Sequence, residues 1–392
     1  MAAWRCAMKA ALIALASTLI ALVAGCANAP PLPAANDLFH DEAFAAPTER
    51  IDPGAALAVS PAMHAYLAEN FAKRAGDNDR RRLLFNALQR GELKLEYDAS
   101  TTRTASQAFD ARSGNCLALV LMTAALAKEL GLTVHYQQIV GTDAWSRADQ
   151  LYIGIGHVNL RIDDPANRAK FPYTDGNSMI VDFQPSVDVR RLNSRDVPER
   201  SVIAMFLNNR AVELLATGHA DDAYWWAREA IRIDPEVLGA YVTLGVVYRS
   251  RGQAAWAERT LARVAEREPD NVSAMSNRVL ALRDLRRDAE ANELAKRLQA
   301  LDPNPPFSYF NEGLAAYRAG RIDVARRLFA KEVARAPYHH EFEFWLAVTY
   351  FELNDVDRAA LHLRRAQDVS TTRKDHDLYA AKLARLKSLT TQ

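Results

Sequence analysis

Of the three cysteines in this 392-residue chain, Cys116 stands where a thiol could do chemistry. It follows Arg112-Ser113-Gly114-Asn115 and opens a run from Leu117 to Leu130 that is apolar on nearly every side and closes at Gly131. Asn115 can cap the first turn of a helix, Gly131 can end it in a left-handed conformation, and a helix apolar all round belongs in a core. A thiol at such an N-terminus meets free backbone N–H groups and the positive end of the helix dipole, both of which favour the thiolate. Downstream, the strand pattern His157-Val158-Asn159-Leu160-Arg161-Ile162 puts His157, Asn159 and Arg161 on the face opposite Val158, Leu160 and Ile162. A second pattern, Met179-Ile180-Val181-Asp182-Phe183, presents Asp182 on the face away from Met179, Val181 and Phe183. If these strands are antiparallel neighbours, His157 and Asp182 lie side by side. A thiolate nucleophile, an imidazole base and a carboxylate that orients it are the parts needed for acyl transfer through a thioester.

Each of these residues has a rival. A lone cysteine in an apolar helix is commonly a small buried hydrophobe. His135 is an alternative base, and Asp163, Asp164 and Asp175 are alternatives to Asp182. The oxyanion of an acyl-transfer intermediate needs the Cys116 backbone N–H and a second donor, for which Gln107 and Gln137 are the candidates. No metal-ligand spacing stands out, His339-His340 reads as an exposed pair, and nothing calls for a cofactor. A formal net charge of +1 with no polybasic stripe gives no argument for nucleic acid.

Around the cysteine the chain resembles the transglutaminase-like superfamily, a papain-related α+β, cysteine-protease-like fold in which Cys, His and Asp arrive in this order. The resemblance runs through Tyr97-Asp98, Thr102-Arg103-Thr104-Ala105, Ala108-Phe109, Gly114-Asn115-Cys116, Ala127-Lys128-Glu129-Leu130-Gly131-Leu132, His157-Val158-Asn159 and Val181-Asp182-Phe183. It implies Cys116 as nucleophile, His157 as base and acid and Asp182 as the orienting group. Many catalytic members place an aromatic just after the histidine, where Val158 and Asn159 stand here, and Trp145 reads as a core or lid aromatic.

The N-terminus has its own logic. An uncharged apolar run from Ala10 to Ala24 follows Arg5 and Lys9, and the segment Leu22-Val23-Ala24-Gly25-Cys26 closes it. This resembles a bacterial lipoprotein signal with its lipobox, which implies cleavage after Gly25, lipid on the Cys26 thiol and loss of Cys6, with Met8 an alternative initiator. Ala27 after the cysteine points to an outer-membrane anchor facing the periplasm. Residues 26–59, rich in Ala and Pro, read as a flexible tether after a signal peptide at 1–25, with the transglutaminase-like domain at 60–200.

The second half is periodic. Pro235, Pro269, Pro303 and Pro337 recur every 34 residues, as do Ala223, Ala257, Ala291, Ala325 and Ala359, with Gly218, Gly252 and Gly320 at the turns. The small Ala allows two helices to approach, and the Pro ends the second. This pattern resembles the tetratricopeptide repeat (TPR) family and predicts an all-α solenoid of five repeats over 204–373 with a capping helix and tail over 374–392. Repeat three carries Arg286 at the turn and Val279 at a normally small position, so its first helix is expected to pack loosely, and repeat five has Asn354 at its turn. The family register predicts a concave groove lined by Phe307, Phe310, Tyr317, Phe344 and Phe351, with Arg249, Arg283 and Arg318 toward its centre. Such a groove suits an extended or helical peptide with apolar anchors and an acidic group. Two functions remain open on sequence alone: a lipid-anchored periplasmic cysteine enzyme acting on a protein or peptide that the repeats recruit, or a catalytically silent adaptor that scaffolds an envelope complex.

Overall fold

The computed structural model describes residues 35–71, 80–90, 93, 95–99, 101–139, 144–148, 151–155, 157–165, 178–183, 193–305, 307–337, 339–370 and 372–390. The lipobox, Cys6, Cys26 and Asp175 lie outside the described residues.

Helices α1 (Pro61–Asn70), α2 (Arg80–Arg90), α3 (Ala105–Ala111) and α4 (Cys116–Glu129) come first, with the short strands β1 (Glu96–Tyr97) and β2 (Ser113–Gly114) paired in parallel beside α4. Strands β3 (Thr133–Ile139), β4 (Ala144–Ala148), β5 (Leu151–Ile155), β6 (Val158–Asp163), β7 (Ser178–Val181) and β8 (Ser194–Val197) follow. Four of them form an antiparallel sheet in the order β7-β6-β3-β8, and β4 pairs with β5 as a hairpin. Helix α4 lies against β6 and β3 and buries every residue from Leu117 to Ala127, as an all-round apolar helix must. Asn115 caps it by accepting from the Ala118 N–H at 2.9 Å, and Gly131 follows it with φ 73°.

Five helix pairs then stack: α5 (Glu199–Ala216) with α6 (Ala220–Ile233), α7 (Leu238–Ser250) with α8 (Ala254–Arg267), α9 (Val272–Asp284) with α10 (Asp288–Leu301), α11 (Ser308–Arg318) with α12 (Ile322–Arg335), and α13 (His340–Glu352) with α14 (Val356–Asp368). Helix α15 (Arg373–Thr390) packs on α14 as the cap. The second helices of the first four pairs end two residues before Pro235, Pro269, Pro303 and Pro337, because the residue before a proline is driven out of the helical region. All five turn positions take a left-handed backbone: Gly218, Gly252 and Gly320 do so freely, while Arg286 (φ 60°) and Asn354 (φ 58°) do so with a side chain. The looseness expected in the first helix of repeat three falls on the second. Helix α9 buries Met275, Val279 and Leu282, whereas α10 buries Ala291 alone.

Residues 35–59 are not a free tether. They run as a strap of three short 3-10 turns along the second helices of the first two repeats. Phe44 stacks on Tyr224 at 3.9 Å and His40 on Trp256 at 3.8 Å. Tyr248 donates to the Leu38 carbonyl at 2.5 Å, Trp225 donates to the Ala45 carbonyl at 2.6 Å, and Thr48 donates twice to Asp222. Asp37 meets Arg259 and Arg263, and Asp41 meets Arg228. The strap continues into the turn Pro53–Leu57, which sits between α3, α4 and α5. Its apolar residues are mostly small alanines. Order comes from a shelf of aromatic side chains nearly 200 positions downstream, which local composition cannot report.

Candidate functional site

Cys116 opens α4 and is half-buried. Its position is held by a chain of hydrogen bonds that starts in the solenoid. The Glu213 carboxylate on α5 accepts from the Thr102 N–H at 2.6 Å, the Thr102 hydroxyl accepts from the Asn115 side-chain amide at 2.7 Å, and the Asn115 oxygen caps α4. Thr102 is buried, so removing any member would strand a polar group away from water. Gly114, two residues ahead of the thiol, admits no side chain: a Cβ there would sit 2.8 Å from the Ala118 Cβ.

His157 stands immediately before β6 and Asp182 immediately after β7. The antiparallel register pairs Leu160 with Val181, so continuing it puts Asn159 opposite Asp182 and His157 one place along the same face. The His157 Nε2 is 2.7 Å from the Asp182 Oδ2, and the Asn159 amide donates to the same oxygen at 3.1 Å. The imidazole is also hydrogen-bonded to the Cys116 side chain. His157 is 3 % exposed. Burial works against the imidazolium, but hydrogen bonds to Asp182 and Cys116 and their negative charge outweigh it and push the His157 pKa up to about 9. With Nε2 engaged by Asp182 and the thiol also in reach, the ring sits near both a carboxylate and a sulfur, the parts that acyl transfer through a thioester would require.

The rivals fall elsewhere. His135 pairs with Asp163 at 3.2 Å, and the register places it against Arg161, at the far end of the β3–β6 pair from His157. Gln107 is occupied in the capping box of α3, and Gln137 donates to Asp196 at 3.0 Å, so neither sequence candidate for the second oxyanion donor is at the site. Trp145 lies in β4, paired with Gly154. Asn159, which stands where an aromatic was expected, was missed as a site residue. Its alternation with His157 on one strand face was the signal.

Of the expected groove residues, Phe307 and Phe310 are corrections. They are 1 % and 0 % exposed and pack on each other and on Phe342, inside the stack of repeats four and five. Phe344 is half-buried and stacks on Tyr379 of the capping helix, and Arg249 is paired with Asp284 at 2.8 Å. Tyr317, half-buried, donates to Glu352 at 3.3 Å, while Arg283, Arg318 and Phe351 are exposed. His339-His340 is not an exposed pair. His339 stacks on Phe342 at 4.1 Å and the His340 Nδ1 lies 2.7 Å from the Tyr379 hydroxyl, where burial lowers the His340 pKa.

Residues 242–306 and 310–372 match the tetratricopeptide repeat family. The C-terminal half carries TPR repeats. A TPR repeat-containing protein of Pseudomonas aeruginosa, PA4667, is 30 % identical over 129 residues, 32 % of this chain and 22 % of that protein, so the chain spans well under half of that relative's length. Among solved structures, the TPR protein YrrB is 22 % identical, with 46 % of this chain and 92 % of that one covered at a TM-score of 0.25. TTC0263, a TPR protein of Thermus thermophilus, is 19 % identical, with 46 % and 99 % covered at a TM-score of 0.30. The TPR assignment rests on the family match together with the 34-residue register of prolines and small residues.

Proposed function

We propose that this chain is a protein-interaction scaffold whose TPR repeats present a protein or peptide to a cysteine-centred acyl-transfer site in the N-terminal domain. The interaction half rests on the repeats. The chemical half rests on one observation: Cys116, His157 and Asp182, from three separate elements, meet in one hydrogen-bonded group. In the reaction the Cys116 sulfur bonds to an amide carbonyl carbon, His157 hands the thiol's proton to the departing amine, and water or a second amine later releases the acyl group from the thioester. Asp182, fixed by Asn159, holds the imidazole in its tautomer and supports the imidazolium. This is the transglutaminase-like reading, and the partner surface left open by packing includes Arg283, Arg318 and Phe351.

Lipidation at Cys26 and a periplasm-facing outer-membrane location belong to the same proposal. Ala35 is buried against the body of the protein, so nine residues of chain could hold the strap face of the first two repeats within about 30 Å of a membrane.

The test is the rate of Cys116 alkylation by iodoacetamide from pH 4 to 9 in the full chain with Cys6→Ser and Cys26→Ser, beside the same protein carrying His157→Ala. Alkylation that persists well below the ordinary thiol range and is lost without His157 supports an activated nucleophile. An inert thiol in both proteins would sink the chemical half. What remains would be the adaptor, a reading favoured by the near-complete burial of His157 and by family matches that fall on the repeats.

A further inference from the structure

Neither Gln107 nor Gln137 supplies the second donor for the oxyanion, and among the described residues one side chain is placed to provide it. Strand β1 pairs with β2 so that Tyr97 registers with Gly114, and the Asp98 N–H donates to the Gly114 carbonyl at 3.0 Å. Asp98 is further pinned by Arg103 at 2.9 Å. This short ladder carries Tyr97 to the N-terminal end of α4, beside the turn that presents the Cys116 backbone N–H. That N–H is the donor which an acyl-transfer intermediate must use. The phenol therefore lies near the place where the oxyanion will form, close enough to feel the charges of Cys116 and Asp182.

We infer that Tyr97 is a catalytic residue, its hydroxyl donating to the substrate's carbonyl oxygen, beside the Cys116 N–H, as that oxygen becomes an oxyanion. The inference rests on the acyl-transfer reading. No proton changes owner at this step: the sulfur–carbon bond forms, the carbonyl electron pair moves to oxygen, and two donors, Cys116 N–H and Tyr97 O–H, meet it. Tyr97 is suited to remain a neutral donor, because burial, and then the nearby Cys116 charge, raise its pKa above the ordinary phenol value. A glutamine would do the same work, but Gln107 and Gln137, the two candidates from the sequence, are engaged elsewhere.

The experiment compares two reactions of the same thiol in the full chain with Cys6→Ser and Cys26→Ser, with and without Tyr97→Phe. Iodoacetamide displaces iodide at a saturated carbon and forms no oxyanion, whereas p-nitrophenyl acetate acylates Cys116 through a tetrahedral oxyanion and expels p-nitrophenolate. Tyr97→Phe is expected to leave the alkylation rate and its pH profile unchanged and to slow the acylation burst by about 100-fold, the loss typical of one oxyanion donor. Unchanged alkylation also shows that the site has stayed folded. An acylation rate equal to or faster than that of the unaltered protein would overturn the assignment, the faster case marking Tyr97 as a plug. If the unaltered protein is alkylated but never acylated, the acyl-transfer reading fails and takes this one with it, an outcome recognisable without the variant.

Discussion

The first two repeats and the last two are built to the same 34-residue plan but belong to different bodies. Side chains of α5, α6, α7 and α8 share one continuous hydrophobic core with the strap and with α4, reaching from Ala35 to Ala281. Repeat three contributes a small cluster of Val279, Leu282 and Ala291, and repeats four and five close on cores of their own around Phe310 and Leu363. Identical local patterns thus yield an interior wall of the N-terminal domain at one end and a nearly independent solenoid at the other. The difference lies in what each second helix meets: Tyr224, Trp225 and Trp256 receive the strap, whereas α10 receives little. The fused half holds the thiol, while the free half leaves Arg318 and Phe351 exposed.

The sharpest way to break this comparison is to damage each half and watch the other. Phe329→Ala removes a fully buried ring packed against Phe310 and should cost about 3–5 kcal/mol within repeats four and five. A calorimetric scan should show one transition lowered while Cys116 alkylation at 25 °C stays unchanged. One transition moving as a whole would show the halves to be a single cooperative unit. Phe44→Ala, on the strap, should cost roughly 3 kcal/mol and do the opposite, lowering the transition that contains the triad.

Next in size is the brace between solenoid and nucleophile. Glu213→Ala strands the Thr102 N–H and should cost about 1–3 kcal/mol while slowing Cys116 alkylation. Glu213→Gln, which keeps an acceptor oxygen, should recover most of both. Equal alkylation rates in all three proteins would mean that α5 merely abuts the site.

The triad also imposes a pH signature on the fused half alone. His157 keeps its proton up to about 9 in the folded protein against about 6.5 when unfolded. Its contribution is therefore fully present below 6.5 and is lost as pH rises through 9. Denaturant midpoints at pH 6, 8 and 10 should fall across that window, and less so in Asp182→Asn. The smallest effect is a gain: Arg286→Gly relieves a left-handed turn in repeat three and should stabilise it by about 1 kcal/mol, seen as a small rise in the midpoint of the free half.

What could be read in advance was whatever depends on neighbours in sequence. The caps at Asn115 and Gly131, the all-round apolar α4, the helix ends before each proline and the left-handed turns are short-range consequences of residue type, so they stood in the chain as written. The alternation that set His157 apart from Val158 also pointed to Asp182, and the β6–β7 register brought them together. Misplaced residues share a different cause. Phe307 and Phe310 hold the register positions of groove residues, yet neighbouring repeats close over them because a large ring gains more from burial than from facing water. The strap, Tyr97 beside the N-terminus of α4, and the Glu213–Thr102–Asn115 brace depend on contacts across 13 to more than 200 positions of chain. Residue types and their periods determined the helices, the repeats and the candidates Cys116, His157 and Asp182. Only the packed tertiary structure decided which of those groups meet and which half of the solenoid stays open, because burial and hydrogen bonding act between surfaces that the chain brings together only when it folds.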